Sequence, residues 1–156
     1  MKLRLLIVGK PKDPESGRLY DRYAGRIEAL GVRCESSWVP EVRAGGRFTD
    51  EHVRQREARA LAAKLDRSGG GKVIALDRRG RMLSSPGLAR KLEGWAATRA
   101  TFVIGGPLGL DDHFLTDADD RWSLSALTLP RELARVLVTE QLYRVLTLLR
   151  GFPYHK

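Results

Sequence analysis

The sequence TFVIGGPLGL occupies residues 101–110 and passes from an apolar run directly into glycines. Thr101–Ile104 predicts a buried strand, and the glycines leave backbone N–H and C=O groups free to approach a ligand. In an open parallel sheet, ligands bind beyond the carboxyl ends of the strands. We therefore interpret Gly105–Gly109 as one wall of a ligand site. A tight strand-to-helix turn is the alternative interpretation.

Strand and helix patterns alternate along the rest of the chain. Strands are predicted at residues 3–8, 32–39, 72–77, 100–104 and 122–126, and helices at 19–30, 49–65, from Ser85-Pro86 onward, and 130–150. Loops are expected at 10–17 and at the basic segment 78–81. The alternation predicts an α/β fold with a mainly parallel sheet and flanking helices, in a single domain over residues 1–156. Leu76-Asp77, Gly105–Gly109 and Leu124–Leu129 are then expected at one edge of the sheet.

Positive charge is concentrated before the glycine loop. The formal net charge is +9; residues 1–100 carry 22 lysines and arginines against 12 acidic residues, whereas residues 101–156 carry 6 against 7. Arginine supplies 21 of the 28 cations, which favours bidentate contacts with phosphate. This distribution indicates nucleic-acid binding, and a solvated basic face is the alternative. The expected phosphate contacts are Arg43, Arg47, Arg78, Arg79 and Arg81.

Several other classes of protein and site are not favoured. No apolar run reaches the roughly 18 residues of a membrane span, and Met1–Val8 predicts a first strand better than a signal peptide. Cys34 is the only cysteine, so no internal disulfide is possible, a cytosolic location is expected, and the thiol is interpreted as a packing group. The three histidines lack metal-ligand spacing, so no metal site is expected.

The segment Pro153-Tyr154-His155-Lys156 follows the strongly apolar helix 130–150. Such a helix should hold the segment in place, although a frayed tail is the usual fate of a terminus. His155 is a candidate base near neutral pH, and Tyr154 is a candidate hydrogen-bond partner for it.

These segments together resemble a known family. The resemblance is carried by the first strand from Lys2 to Gly9, by Ile104–Gly106 with Gly109-Leu110, by the segment SLSALTLP at residues 123–130, by EQLYR at 140–144 and by PYHK at 153–156. Their order and spacing resemble the small SPOUT-class rRNA methyltransferases that methylate N3 of a pseudouridine in bacterial large-subunit (23S) rRNA. The resemblance covers essentially the whole chain.

The resemblance implies S-adenosyl-L-methionine as the methyl donor, a homodimer, and a SPOUT-type fold with a C-terminal trefoil knot. It implies rRNA of the large ribosomal subunit as the partner, with the assembled ribosome as the favoured substrate. Cofactor-binding positions carried over from the family are Leu76, Gly105, Leu124, Ser125, Ala126, Leu127, Thr128 and Leu129. A histidine often follows Pro130 in the family, whereas this chain has Arg131.

The chemistry implied by the resemblance needs removal of the N3 proton before methyl transfer. We assign His155 to assist that removal, Tyr154 to orient it or the base, and Arg144 to stabilise the imide oxyanion. Arg144 could instead form a structural pair with Glu140, four residues earlier. Two functional alternatives stay open: methylation of another rRNA or tRNA base, and a non-catalytic basic RNA-binding module.

Overall fold

The computed structural model describes residues 1–65, 71–95 and 99–155, without the side chain of His155. Its sheet has five strands, all parallel, in the order β2-β1-β4-β3-β5. The strands are β1 (Lys2–Val8), β2 (Arg33–Val39), β3 (Lys72–Met82), β4 (Arg99–Ile104) and β5 (Asp120–Ser123). The helices are α1 (Pro14–Ala29), α2 (Asp50–Lys64), α3 (Ser85–Gly94), α4 (Asp112–Asp117) and α5 (Arg131–Leu149), followed by a short 3-10 helix at Pro153–His155. The predicted α/β class with a parallel sheet is confirmed.

The sheet separates two layers of helices, as the alternation of side chains along β1 shows. Leu3, Leu5 and Ile7 belong to a core that includes α1, α3 and α5, whereas Leu6 and Val8 belong to a core that includes α2 and α4. Successive side chains of a strand point to opposite faces, so an apolar run such as β1 is buried on both sides.

Two helix starts differ from the sequence prediction because of capping side chains. Residues 14–17, predicted as loop, form the first turn of α1: Asp13 accepts a hydrogen bond from the Ser16 N–H, and Pro14 occupies the first helical position. The cap of α3 is Ser84 rather than Ser85, since the Ser84 hydroxyl accepts from the Gly87 N–H.

The basic segment 78–81 is strand, not loop. β3 continues to Met82 and pairs with β5 in two registers, with Trp122 opposite first Leu76 and then Arg81. Gly80 permits this approach, because a Cβ there would lie 2.6 Å from the Trp122 carbonyl carbon. The prediction of a basic loop was therefore wrong: neighbouring strand pairing, rather than the local charge, determines the conformation.

The fifth strand begins earlier and ends earlier than predicted. β5 spans Asp120–Ser123 instead of 122–126. The Ser123 hydroxyl donates to the Ser125 carbonyl oxygen at 2.8 Å, and this local bond accompanies the turn of the chain out of the sheet. Leu124–Pro130 is consequently a loop.

The apolar surface of α5 is largely used within the chain. Its buried residues pack against α1 and α3 and are Ala134, Arg135, Val138, Thr139, Leu142, Val145, Leu146 and Thr147. Leu133 and Leu149 stay exposed at 49% and 38%. Most apolar residues of α5 are therefore buried within the chain, so they support a subunit interface less strongly than the sequence indicated. Within the described ranges, no helix has the length and apolarity to cross a membrane.

Candidate functional site

A cleft of about 900 Å³ opens at the carboxyl edge of the sheet, where β4 and β5 end and where the pairing of β3 with β5 shifts register after Leu76. The loops Gly105–Leu110 and Leu124–Pro130 form two of its walls, and Arg131 and Ala134 of α5 contribute to a third. Seven of the eight predicted cofactor-binding residues line this cleft: Leu76, Gly105, Leu124, Ser125, Leu127, Thr128 and Leu129. Ala126, the eighth, is exposed and is not among the lining residues.

The glycine loop is shaped by its own packing. The Gly109 N–H donates to the Gly106 carbonyl oxygen at 2.9 Å, and Gly109 has φ +80°, a left-handed conformation that favours glycine. A Cβ on Gly105 would lie 3.0 Å from the Gly109 carbonyl carbon and 3.1 Å from the Leu110 nitrogen. A side chain at Gly105 would thus press on the loop itself, so substitution there does not isolate contact with a ligand.

A buried carboxylate lies beneath the same loop. Glu57 of α2 is 2% exposed, and its Oε1 accepts from the Val42 N–H at 3.0 Å. Its Oε2 has no hydrogen-bond partner among the described residues and would be 2.8 Å from a Cβ on Gly106. Burial raises the pKa of Glu57, and the positive charge of Arg131 opposes that rise. A Cβ at position 106 would therefore displace this buried carboxyl group.

The second wall is a loop stabilised by serine side chains. Ser125 receives a hydrogen bond from Ser123 on its carbonyl oxygen, and its hydroxyl accepts from the Leu127 N–H at 3.0 Å. Leu127 is 75% exposed. The loop holds backbone groups and apolar side chains beside the cleft.

One part of the rim carries charged side chains from three elements. Asp77 accepts from the Arg79 N–H at 2.9 Å and from Arg79 Nε at 3.1 Å, and Arg79 Nη2 donates to Asp112 at 3.0 Å. Arg54 and Arg78 also line the cleft, and neither forms an ion pair within the described part of the chain. Two of the expected phosphate contacts thus differ in their ion pairing: Arg79 already has carboxylate partners, whereas Arg78 has none in the described part of the chain.

Arg131 joins the cleft to the segment after β2. Its guanidinium forms an ion pair with Glu41 and packs on Gly9, where a Cβ would lie 2.7 Å from the guanidinium carbon. Gly9 has φ +85°, a left-handed conformation that favours glycine. Arg131 therefore has a defined role in packing at the cleft wall.

Tyr154 and Arg144 meet at Glu140 near the C-terminal end of α5. Glu140 Oε1 accepts from Arg144 Nε at 3.0 Å and Nη2 at 2.6 Å, and from the Tyr154 hydroxyl at 3.2 Å. Partial burial, together with Tyr23 and the charge of Glu140, raises the pKa of Tyr154 to about 12. The phenol is therefore protonated near neutral pH and acts as a donor. The side chain of His155 lies outside the described residues, although its backbone belongs to the 3-10 helix.

The two groups of candidate residues lie at opposite ends of α5. Arg131 is at the cleft and Arg144 is in the Glu140 cluster, and thirteen residues of helix separate them by about 20 Å. One chain therefore brings the cofactor-binding candidates together, and separately brings Tyr154 and Arg144 together, but does not bring the two groups into contact.

S-adenosyl-L-methionine, the cofactor implied by the resemblance, fits the cleft. The volume lies within the range of roughly 300–1,000 Å³ that is usual for small-molecule sites. Apolar Leu76, Ile104 and Leu129 suit an adenine ring, and the loop backbones offer polar groups for its edge.

Cys34 lies outside the cleft. Burial raises the pKa of the Cys34 thiol to about 11, which supports its interpretation as a packing group. No cluster of three or more metal-ligating side chains occurs among the residues that the structure describes.

Three features of the site were not predicted from the sequence: the ion pair of Asp77, the buried carboxyl group of Glu57 and the Arg131–Glu41 pair. Glu57 did leave a signal, because it occupies the buried face of α2 at four-residue spacing between Val53 and Leu61. An acidic residue in the middle of an apolar helix face indicates a buried carboxylate with a specific partner. The partner of Arg131, ninety residues away, left no local signal.

Comparisons with known proteins agree with this geometry. The family described as Predicted SPOUT methyltransferase matches residues 1–155. The protein named Ribosomal RNA large subunit methyltransferase H from Alkalilimnicola ehrlichii is 39% identical, over 100% of this chain and 99% of that protein. The protein of the same name from Methylobacterium radiotolerans is 43% identical, over 100% and 98%.

Solved structures share the fold at low sequence identity. A probable methylase family protein from Haemophilus influenzae aligns with a TM-score of 0.56 at 15% identity, over 96% of this chain and 66% of that one. A probable rRNA-methyltransferase from Porphyromonas gingivalis aligns with a TM-score of 0.52 at 13% identity, over 96% and 70%. Since the family match and the relatives both span the chain, this protein belongs to the SPOUT methyltransferase family.

Proposed function

We propose that this protein methylates N3 of a pseudouridine in bacterial large-subunit (23S) rRNA, with S-adenosyl-L-methionine as the methyl donor and the assembled ribosome as substrate. The observation that carries the proposal is the cleft at the carboxyl edge of the sheet, bordered by the two C-terminal loops. The names of the full-length relatives support large-subunit rRNA as the substrate class. The proposal includes a cytoplasmic location, where ribosomes are found.

The cofactor would be held by Leu76, Gly105 and the loop 124–129. Apolar side chains would enclose the adenine, and backbone groups of the two loops would bind its polar edge and fix the orientation of the rest. When bound, S-adenosyl-L-methionine supplies an electrophilic methyl group on a sulfonium sulfur. The protein must then position N3, neutralise charge and remove one proton.

The N3 position of pseudouridine is an imide N–H and becomes a good nucleophile only when deprotonated. We assign removal of that proton to His155, whose unperturbed pKa lies near neutrality. Tyr154 is unsuited as the base, because its pKa is about 12. It can instead donate a hydrogen bond that orients the base or the imide. Arg144 uses Nε and Nη2 on Glu140, which leaves Nη1 for the developing imide oxyanion.

A homodimer is part of the proposal, because one chain alone separates the two groups of residues by about 20 Å along α5. A two-fold partner would bring its Tyr154 cluster towards this chain's cleft, as an isologous interface repeats each contact twice. Leu133, which is 49% exposed, supports an interface at the N-terminal end of α5. Family membership supports a trefoil knot formed by the C-terminal segment.

The decisive experiment uses ribosomes from a strain that lacks the gene. Purified protein and S-adenosyl-L-methionine should restore one methylated pseudouridine, detected by mass spectrometry of rRNA nucleosides. Methylation of tRNA or of a different rRNA base would show that the protein has a different target. Absence of binding heat with S-adenosyl-L-methionine in calorimetry would instead favour a non-catalytic RNA-binding module.

A second experiment tests the proton transfer. In single-turnover assays at pH 6–9, His155→Ala should lower the rate by about 10²–10⁴-fold, with unchanged cofactor affinity and melting temperature. A wild-type rate at every pH would remove His155 from the mechanism.

A third experiment tests the oligomeric state. Light scattering at micromolar concentration should give a dimer, and a fully active monomer would contradict the shared site.

A further inference from the structure

The segment 41–48, named the arginine loop below, connects β2 to α2 and is fixed at its first two residues. Glu41 forms an ion pair with Arg131, which also lines the cleft. The next residue, Val42, donates its N–H to the buried carboxylate of Glu57 at 3.0 Å. The start of the loop is therefore attached both to α5 and to α2.

The other end of the arginine loop is a tight turn. Gly45 and Phe48 pair in an antiparallel bridge, and Gly45 and Gly46 have φ of +105° and +68°. Thr49 then caps α2 by accepting from the His52 N–H. Because two consecutive left-handed residues form the turn and a helix cap follows it, Phe48 has a defined position.

The charged side chains of the arginine loop differ in whether they are paired. Arg43 and Arg47 are exposed, and neither has an ion-pair partner in the ranges described. The carboxylate of the loop, Glu41, is engaged by Arg131. The nearby Asp50 and Glu51 belong to the first turn of α2, where the helix dipole favours acidic groups. The loop thus presents two unpaired guanidinium groups to solvent.

An aromatic surface adjoins these cations. Phe48 is 40% exposed, and the Arg56 guanidinium carbon lies 4.7 Å from the centre of its ring. A guanidinium over one face of a ring forms a flat cationic and aromatic platform. Platforms of this kind bind unpaired bases by stacking, which tolerates any base because every base has a flat face.

We propose that the arginine loop and Arg56 form the docking surface for a single-stranded segment of the RNA substrate. Phe48 with Arg56 stacks an unpaired base, and Arg43 and Arg47 contact the neighbouring phosphates. A base inside a duplex is already stacked and cannot reach the ring, so the surface selects single strands. The proposal rests on the RNA substrate proposed above and adds the place and the mode of its contact.

The anchoring of the loop gives this surface a fixed relation to the cleft. Arg131 lines the cleft and holds Glu41, and Gly106 of the cleft wall lies against Glu57, which holds Val42. RNA docked on the loop is therefore held at a set distance from the cleft. Binding there contributes to positioning the target nucleotide, which is where enzymes gain much of their rate enhancement.

The test measures binding of a single-stranded 12-nucleotide oligouridine RNA by fluorescence anisotropy. Phe48→Leu keeps an apolar side chain but removes the flat ring, and should weaken binding about tenfold, the scale of one stacked base. Phe48→Tyr keeps the ring and should bind as the wild type does. Wild-type affinity in Phe48→Leu would overturn the proposal, and so would an equal loss on a matched duplex.

The phosphate contacts are tested by the dependence of affinity on salt. Arg43→Ala and Arg47→Ala should each lower the slope of log affinity against log salt by about 0.7 for single strands. Arg90→Ala is the matched control, because Arg90 is exposed on α3, in the opposite helix layer. If Arg43→Ala and Arg47→Ala had the same slope as Arg90→Ala, the phosphates would contact other residues.

Cofactor binding separates failure of this proposal from failure of the proposed function. Phe48→Leu should bind S-adenosyl-L-methionine with the affinity of the wild type. If the wild-type protein showed no cofactor binding while RNA affinity still depended on Phe48, the docking surface would stand and the methyltransferase proposal would fail. If ribosomes were methylated by Phe48→Leu with unchanged KM and oligouridine affinity, the docking surface would fail alone.

Discussion

Arg131 and Glu41 form an ion pair across ninety residues of sequence, at the point where the cleft wall meets the arginine loop. Their side chains are 31% and 35% exposed, so solvent screens the attraction. We expect a double-mutant cycle of Arg131→Ala and Glu41→Ala, measured by urea unfolding, to give a coupling energy below about 1 kcal/mol. A coupling above about 3 kcal/mol would show that the pair behaves as a buried one.

Gly106→Ala should destabilise the protein, because the new Cβ would lie 2.8 Å from Glu57 Oε2 and 3.1 Å from Val8 Cγ1. We expect a loss of about 1–3 kcal/mol in the free energy of unfolding, the usual cost of overpacking. The loss should shrink when Glu57 is also replaced by alanine, since the two effects share one contact.

The control for this substitution is Gly25→Ala in α1. Nothing lies within 4 Å of a Cβ at Gly25, so alanine there should stabilise the helix by up to about 1 kcal/mol. Equal effects of Gly106→Ala and Gly25→Ala would contradict the close contact with Glu57.

Glu57→Gln should change how stability depends on pH. Burial raises the pKa of Glu57 above its ordinary value of 4.5, so the folded state binds this proton more tightly than the unfolded state. Wild-type stability from this group is therefore complete below pH 4.5 and falls as pH rises through the folded-state pKa. Glutamine does not titrate, so the free energy of unfolding of the variant should rise relative to that of the wild type as pH rises. Urea unfolding at pH 4–8 measures this difference, and a constant difference would refute the assignment.

Arg78 and Arg79 should contribute unequally to RNA binding. Arg79 is paired with Asp77 and Asp112, whereas Arg78 has no ion-pair partner in the described part of the chain. We expect Arg78→Ala to lower the slope of log affinity against log salt by about 0.7–0.9, the value for one phosphate contact. Arg79→Ala should lower it less, since its guanidinium is already neutralised. Equal slopes for the two variants would contradict this difference.

The strands and the edge that holds the cleft could be predicted from sequence, because burial on both faces leaves a continuous apolar run. Leu3–Val8 and Thr101–Ile104 are such runs, and the glycines after Ile104 indicated the end of a strand. The segment 78–82 could not be predicted as strand, since its arginines are exposed and its conformation depends on pairing with Trp122. A contact between distant segments leaves no local pattern.

Part of the candidate site could likewise be predicted from the sequence, and part could not. Seven of the eight cofactor positions carried over from the family meet at one cleft, because they follow strands that end at one edge. The position of Arg144 relative to that cleft could not be predicted, although the Glu140–Arg144 pair at four-residue spacing was foreseen as an alternative and is present. Helix spacing predicts neighbours on one face, but not what the far end of α5 adjoins.

The length of α5 has a consequence for how this protein tolerates insertions and deletions. Each residue added to a helix advances the chain by about 1.5 Å and turns everything beyond it by about 100°. One extra residue between Arg131 and Arg144 would rotate the Tyr154 cluster away from its present direction relative to the cleft. Functional variants should therefore leave the helix between Arg131 and Arg144 unaltered in length.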